Sequence, residues 1–297
     1  MHTIAAISPS DFLSRTFHTA VFAGGGNRCW WQAGAVERLR EQANWQVERL
    51  IGVSAGAGIA TAFATGRIQA SLRTAVERFN QTPKNFVWRN LLQGKRPFVL
   101  PNIYPDWIES FLQATDLQRL KQGSLKIDVV ITRPIPFLPV TMSTALALAL
   151  YSTEKFWLKT FHARAPHWVG LRPEYHDLSA CAHMDDARSL LLASAAAVPI
   201  TATHKVHGRA ALDGGFYDNV PLPQDRADDA GTLVLLTRHR ADLPLAFDMG
   251  GRTYLQPSRP VAAINMDCTS GPNVQNTYAQ GLEDMTAWLR RVGQRLR

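Results

Sequence analysis

Short apolar runs alternate with amphipathic stretches along most of this chain, and the alternation predicts strands followed by helices. Thr19–Ala23 is predicted to be a buried strand before a helix at Trp30–Glu41, and Trp45–Ile51 a strand before the small, apolar helix Ala57–Thr65. A further amphipathic helix is expected over 67–80. Strand–helix repeats of this kind are typical of an α/β protein with a largely parallel sheet.

The later part of the chain continues the alternation less regularly. We expect strands at Leu125–Thr132, Val206–Leu212, Leu233–Thr237 and Val261–Met266, and helices at Asp106–Gln113, Asp185–Ala193 and from about Val274 to Leu296. Gln81–Pro105 is rich in proline and aromatic residues and is expected to be irregular, and Phe156–Asp186 is poorly patterned. The expected fold is a three-layer α/β/α sandwich around a central, mostly parallel sheet.

The most apolar stretch of the chain contains an alternating Ala-Leu run from Ala145 to Leu150, after three prolines. A buried helix is the first interpretation of this run. The alternative is a lid or a wall for an acyl chain. The prolines and charges that interrupt 127–151 argue against a membrane span.

Composition narrows the class of protein. The 297 residues include 46% hydrophobic residues, and a mean hydropathy of -0.13 is that of a soluble globular protein. This length fits a single domain over 1–297, with a motif-bearing core of about 18–240 and a C-terminal strand and helix over 241–297 that complete it. Three scattered cysteines and an N-terminus without a secretory signal pattern predict a cytoplasmic location.

The net charge of +8 favours an anionic partner, which could be a membrane surface, nucleic acid or an acidic protein. The charge is scattered, and no block of five or more basic residues occurs, so nucleic acid is not expected as a partner. Peripheral contact with a membrane remains compatible with this composition. The histidine spacings match no ligand motif, and nothing in the sequence calls for a metal or another cofactor.

The pentad Gly52-Val53-Ser54-Ala55-Gly56 lies between the second predicted strand and its helix. A G-x-S-x-G motif in that context is typical of a nucleophile elbow, which exposes the serine hydroxyl at a helix N-terminus. Gly52 and Gly56 would let neighbouring backbone crowd the turn. The alternative is a helix start rich in small residues that serves only close packing.

The first predicted strand runs into the loop Gly24-Gly25-Gly26-Asn27-Arg28. Backbone N–H groups of such a loop can cradle an anion, which could be a phosphate or the oxyanion of a reaction intermediate. The dinucleotide fingerprint is not met, because Cys29 occupies its sixth position. Ser54, 30 residues after Gly24, would need an oxyanion hole, which favours that interpretation.

Asp213-Gly214-Gly215 follows the predicted strand Val206–Leu212. A carboxylate at a strand end lies where the active-site residues of α/β sheets usually lie. The alternative is an ordinary turn, since Asp-Gly pairs commonly form turns.

Four blocks, taken in order, resemble the patatin-like phospholipases, which are Ser-Asp lipid acyl hydrolases. The blocks are the glycine loop with Gly34-Ala35-Val36, the pentad around Ser54, Leu192–Pro199, and Asp213-Gly214-Gly215 with Asn219 and Pro221. The likeness spans about residues 18–240. Cys29 departs from it, because the family usually has a further glycine at this position.

The resemblance implies a catalytic dyad without histidine. Ser54 would be the nucleophile, Asp213 the base, and the loop Gly24, Gly25, Gly26 and Arg28 the oxyanion hole, with Gly52, Gly56, Gly214 and Gly215 supporting the turns. The implied substrate is a lipid ester, such as a membrane phospholipid or lysophospholipid, and a protein activator stays an open question. Two alternatives also remain open: a Ser-His-Asp esterase that uses His239, and a weakly active or non-catalytic protein that binds lipid or a partner on the same scaffold.

Overall fold

The computed structural model describes residues 3–43, 45, 47–153, 162 and 165–292. The strands in this part of the chain are β1 (Ile4–Ala6), β2 (Thr19–Phe22), β3 (Arg49–Val53), β4 (Lys126–Arg133), β5 (Arg172–Asp177), β6 (His204–Val206), β7 (Arg209–Asp213), β8 (Thr232–Leu235), β9 (Ala246–Met249) and β10 (Arg252–Leu255). The helices are α1 (Pro9–Leu13), α2 (Trp30–Gln42), α3 (Ala55–Ala64), α4 (Ile68–Asn80), α5 (Trp88–Leu92), α6 (Leu100–Phe111), α7 (Ala114–Gln122), α8 (Val140–Thr153), α9 (Ala165–Trp168), α10 (Met184–Ser194) and α11 (Gly271–Leu289).

These strands form one mixed sheet in the order β1-β9-β10-β8-β2-β3-β4-β7-β6, with β5 also paired to β4. The centre, β10-β8-β2-β3-β4, is parallel throughout. The flanking pairs are antiparallel, and only β5, β7 and β9 run against the common direction of the described strands. The predicted α/β class with a mostly parallel central sheet is confirmed.

Apolar side chains alternate between the two faces of the central strands. On β2, Ala20 and Phe22 point into the larger core, which α2, α3, α4, α10 and α11 cover, whereas Val21 and Ala23 point to the opposite face. On that second face α8 packs beside β7, where Ala147 and Leu212 share a smaller cluster. Burial on both faces explains why the central strands are short, continuous apolar runs.

The expected elements around the site are present with small shifts. Eight of the observed elements overlap the ranges predicted for them: β2, α2, β3, α3, α4, β4, α10 and β8. The last helix ends at Leu289 rather than near Leu296, and residues 293–297 lie outside the described residues. No helix in the described part of the chain has both the length and the apolarity needed to cross a membrane.

The strand predicted over Val206–Leu212 is present over 209–212, as part of β7, but the prediction missed a turn and a second strand before it. The chain forms a hairpin of β6 and β7, and the turn lies at His207 and Gly208, which have φ angles of 51° and 75°. A two-residue turn with positive φ at both central positions matches the twist of antiparallel strands. The His-Gly pair was the signal for this turn.

The strand predicted over Val261–Met266 is wrong. Backbone groups in this segment bond outside any sheet: Ala263 N–H donates to the Thr277 hydroxyl, and Asn265 C=O accepts from Asn27 N–H. The strands that complete the sheet are β9 and β10, joined at Gly250 and Gly251, which both have positive φ. A Gly-Gly pair is a strong hairpin signal.

Two helix predictions need correction. The helix expected at Asp106–Gln113 begins at Leu100, so α6 includes part of the segment expected to be irregular and continues through Pro105. The Ala-Leu run does form a helix, α8, but that helix is not buried as expected. It buries the small residues Ser143, Thr144 and Ala147, while Met142 and Leu148 are more than half exposed.

Candidate active site

Strands β3 and β7 end at the same point of the sheet. Val53, the last residue of β3, is paired with Val130 of β4, and Asp213, the last residue of β7, is paired with the next residue, Ile131. Strand β5 pairs with one edge of β4 along 128–133. Strands β3 and β7 must therefore both pair with the opposite edge of β4. Because β3 is parallel and β7 antiparallel to β4, their carboxyl ends meet head to head, and Ser54 comes next to Asp213.

The backbone at Ser54 has φ 55° and ψ -133°, a region in which residues other than glycine are strained. This sharp turn joins β3 directly to α3. Its tightness depends on Gly52 and Gly56. A Cβ on Gly56 would lie 2.5 Å from the carbonyl oxygen of Phe22, and a Cβ on Gly52 would lie 2.5 Å from the Cα of Ala57. The predicted elbow geometry is therefore present at these residues.

Ser54 Oγ donates a hydrogen bond to Asp213 Oδ2 at 2.8 Å. The second carboxylate oxygen of Asp213 accepts from the Gly215 N–H at 2.7 Å. Burial raises the pKa of Asp213 to about 6, although both hydrogen bonds favour the ionised form. A carboxylate with that pKa is a stronger base than an exposed aspartate and is still ionised at neutral pH.

The glycine loop is fixed by two residues that are distant in sequence and follow strands, Asn219 after β7 and Thr237 after β8. Asn219 Nδ2 and the Thr237 hydroxyl both donate to the Gly24 carbonyl, at 2.6 Å and 2.9 Å, and Gly24 N–H donates to Asn219 C=O. In the described residues no group accepts from the N–H of Gly25 or Gly26, and both residues line the cavity at Ser54. No local sequence pattern marks Thr237 for this role, because it lies 213 residues from Gly24.

Arg28 and Cys29 complete the loop. Burial and the nearby Arg238 lower the pKa of Arg28, and its Nε is buried with no hydrogen-bond partner among the described residues. Cys29 is buried with its Sγ 3.5 Å from the Ala23 carbonyl oxygen. Burial raises the pKa of this thiol well above its usual range, so it stays protonated. The side chain that replaces the family's glycine is thus accommodated in the core.

Ser194 is a site residue for which sequence analysis assigned no role. Its buried hydroxyl accepts from the Ser54 N–H at 2.8 Å and donates to the Val130 carbonyl at 2.6 Å. The only sequence signal for it was the resemblance of the Leu192–Pro199 block.

A cavity of about 300 Å³ opens over Ser54 and Asp213. Its walls are mainly apolar, with side chains from α3, α4, α6 and α8 that include Ile59, Phe79, Ile103, Trp107 and Leu148. The Tyr104 hydroxyl also lines it and is buried with no hydrogen-bond partner among the described residues. The cavity can hold an apolar chain with a polar group directed to Ser54.

His239 lies elsewhere. Its Nδ1 is 2.9 Å from the Pro257 carbonyl oxygen, and it is not among the residues that line the cavity. Within the described ranges, no three His, Cys, Asp or Glu side chains group so that they could hold a metal ion.

The fold and the site define an α/β protein in which a serine and an aspartate meet at the carboxyl ends of two strands that pair with the same neighbour, under an apolar cavity. The chain belongs to the patatin-like phospholipase family, whose profile matches residues 20–225. Membership of this family indicates lipid acyl hydrolase activity. Among solved structures, VipD from Legionella pneumophila is similar, with 11% identity, a TM-score of 0.46, and coverage of 93% of this chain and 67% of VipD. No curated protein sequence matches this chain.

Proposed function

We propose that the protein is a serine-dependent lipid acyl hydrolase in which Ser54 and Asp213 form the catalytic dyad. The observation that carries the proposal is the 2.8 Å hydrogen bond from Ser54 Oγ to Asp213 Oδ2 at the base of an apolar cavity. A nucleophile within hydrogen-bond reach of its base is the geometry that nucleophilic catalysis requires.

In the first half of the reaction, Ser54 Oγ attacks the carbonyl carbon of the ester while its proton moves to Asp213 Oδ2. The bond to the leaving alcohol oxygen then breaks, and that oxygen takes the proton from Asp213, which leaves an acyl-serine. In the second half, water attacks the acyl carbon and gives its proton to Asp213. Ser54 Oγ recovers the proton as the fatty acid leaves.

The negative oxygen of each tetrahedral intermediate would be bound by the N–H groups of Gly25 and Gly26. Two observations support this role: both groups lack a partner in the described residues, and both residues line the cavity beside Ser54. The Gly24 carbonyl is already held by Asn219 and Thr237, which positions the loop before substrate binds. The partly buried Arg28 adds positive charge to the same wall.

The cavity wall and the family both support a lipid ester as the substrate. Apolar side chains of α4, α6 and α8 suit an acyl chain, and the family indicates a lipid ester. A phospholipid or lysophospholipid fits these features.

Hydrolysis of a short-chain nitrophenyl ester by the wild type and by Ser54→Ala, Asp213→Ala and His239→Ala tests the proposal. We expect activity in the wild type and in His239→Ala, and background rates in the other two. Loss of activity in His239→Ala, with its fold intact by circular dichroism, would instead support the Ser-His-Asp esterase. Background rates in the wild type on both this ester and phospholipid vesicles would support a binding protein on the same scaffold.

A further inference from the structure

Helix α8 packs small and polar side chains against the protein and exposes apolar side chains, which is the reverse of an ordinary surface helix. The side that packs on the protein holds Ser143, Thr144 and Ala147, and the exposed side holds Met142 and Leu148, 56% and 52% exposed. Surface helices of soluble proteins bury the apolar side instead. In the loop that precedes α8, Phe137 is fully exposed. Residues 134–153 contain no charged residue.

A second exposed apolar segment surrounds α5. Trp88 and Leu92 are 74% and 90% exposed. The same segment is basic: residues 79–105 contain no Asp or Glu, and their charged residues are Lys84, Arg89, Lys95 and Arg96. All four cations are exposed, and none forms an ion pair with another described residue.

Contacts connect both segments to the cavity above Ser54. Leu148 of α8 lines the cavity and is also exposed, so it lies at the rim. The α5 segment is hydrogen-bonded to residues at two parts of the cavity wall. Arg96 Nη1 donates to the carbonyl of Pro199, which lines the cavity, and Asn85 bonds the backbone N–H of Cys268 and the carboxylate of Asp267, next to the lining residue Met266.

We propose that this rim is the face by which the protein docks on an anionic lipid bilayer. The docking face consists of Trp88, Leu92, Phe137, Met142 and Leu148, with the four cations of the α5 segment beside them. Exposed apolar side chains next to unpaired cations match the two layers of such a surface, acyl chains below anionic headgroups. This orientation turns the cavity mouth, and Ser54 behind it, toward the lipid.

The charge supports a bilayer rather than a second copy of the chain as the occupant. Two copies brought together through this face would oppose eight exposed cations with no carboxylate from residues 79–105 or 134–153 between them. An anionic bilayer provides the counter-charge for all four cations at once.

The proposal rests on the proposed lipid hydrolase function, so its test separates the two. Binding is measured by co-sedimentation of Ser54→Ala, which cannot degrade the vesicles, with phosphatidylcholine vesicles that either contain or lack phosphatidylserine. We expect partitioning into the phosphatidylserine vesicles that weakens as sodium chloride is raised. Because each basic residue near an anionic surface contributes about fivefold to partitioning, Lys84→Gln with Lys95→Gln should lower it roughly 25-fold.

The matched control is Lys126→Gln with Arg226→Gln, which removes two exposed cations near the amino ends of β4 and β8, away from the cavity. It should bind as the parent does. On the apolar side, Trp88→Ala with Leu92→Asn should also weaken binding, whereas Leu13→Asn, another exposed leucine, should not. The three double variants and Leu13→Asn are also made with Ser54 intact. Each of these four proteins should hydrolyse a soluble nitrophenyl ester at the wild-type rate.

Equal binding to vesicles with and without phosphatidylserine, or unchanged binding after removal of Lys84 and Lys95, would overturn the docking face. So would concentration-dependent dimerisation that Leu92→Asn abolishes. Vesicle binding by a protein that hydrolyses no ester would refute the proposed function and leave the docking face standing. Hydrolysis of the soluble ester without vesicle binding would refute the docking face alone.

Discussion

The buried hydroxyl of Ser194 bridges the backbone of Ser54 to the backbone of Val130. It accepts from the Ser54 N–H at 2.8 Å and donates to the Val130 carbonyl at 2.6 Å. The strained residue Ser54 is therefore tied to the central strand β4 through one side chain. This tie keeps the serine at the position where its own hydroxyl reaches Asp213.

Ser194→Ala should loosen the elbow. The partly buried Ser54 N–H would lose its acceptor, and loss of a hydrogen-bond partner in a buried site typically costs about 1–3 kcal/mol of stability. We expect kcat to fall about tenfold or more, because part of that cost would be relieved by a shift of Ser54 away from the reactive geometry. KM for a short ester should change little, since Ser194 does not line the cavity. Ester kinetics and thermal unfolding together measure both effects.

Ser71→Ala is the control for this experiment. Ser71 is equally buried, but its hydroxyl has no hydrogen-bond partner among the described residues. Its removal should leave kcat unchanged and should not lower the melting temperature. If Ser194→Ala behaved in the same way, the bridge would have no part in positioning Ser54.

The pH dependence of the rate should report the ionisation of Asp213. Only the ionised carboxylate can accept the proton of Ser54, and its pKa is raised to about 6. The logarithm of kcat/KM should therefore rise with pH below about 6 and level off above it. Initial rates on a nitrophenyl ester, corrected with Ser54→Ala for alkaline hydrolysis, measure the profile.

A histidine base would give a similar rise, because an ordinary histidine titrates at about 6.5. The same profile must therefore be measured for His239→Ala. We expect it to coincide with that of the wild type. A profile that flattens in His239→Ala would assign the titration to the histidine and not to Asp213.

Gly56→Ala should inactivate the enzyme through the backbone. The new Cβ would lie 2.5 Å from the Phe22 carbonyl oxygen and 2.6 Å from that of Ala23, so the elbow and the strand that leads to the glycine loop would be forced apart. A displacement of about 1 Å between nucleophile and oxyanion donors can lower the rate about 100-fold. Gly123→Ala is the control, because its Cβ would come no closer than 3.4 Å to any atom. Equal rates for the two variants would contradict the close approach.

Local sequence patterns predicted the elements that carry the site but not all of the contacts between them. The G-x-S-x-G pentad and the Asp-Gly-Gly turn each have a recognisable local form, and the elbow geometry was expected from the first. The hydrogen bond between Ser54 and Asp213 depends on both β3 and β7 pairing with β4, which no local pattern contains. The same holds for Asn219, which reaches Gly24 across the sheet.

The misplaced elements have a physical explanation as well. Hydrophobicity alone predicted that the Ala-Leu run is buried, but α8 buries its small residues and exposes Met142 and Leu148, at the rim of the cavity. Val261–Met266 is apolar enough for a strand, yet no strand in the described part of the chain pairs with it, and Thr277 of α11 accepts one of its N–H groups instead. Burial and pairing are settled by neighbours that are distant in sequence.

Asp213→Asn should abolish activity and stabilise the fold, because the proposed base is held in an environment that disfavours its charge. In the folded protein its pKa is raised from 3.8 to about 6 by burial. Above pH 6 the carboxylate is ionised in both the folded and the unfolded state, and only the folded state holds that charge away from water. The linked loss of stability is at most about 3 kcal/mol, and it develops as the pH rises from about 4 to 6.

Asparagine has nearly the same shape but no charge, so it avoids this cost. The melting temperature of Asp213→Asn should exceed that of the wild type at pH 8, and the difference should shrink toward pH 4, where the carboxyl group of the folded wild type is protonated and uncharged. Ser54→Ala is the reference, since it is inactive without removing the charge; its stability should keep the pH dependence of the wild type. A difference between Asp213→Asn and wild type that is the same at pH 4 and pH 8 would mean that burial of the Asp213 charge does not set its pKa. The base would then owe its strength to something other than the apolar wall around it.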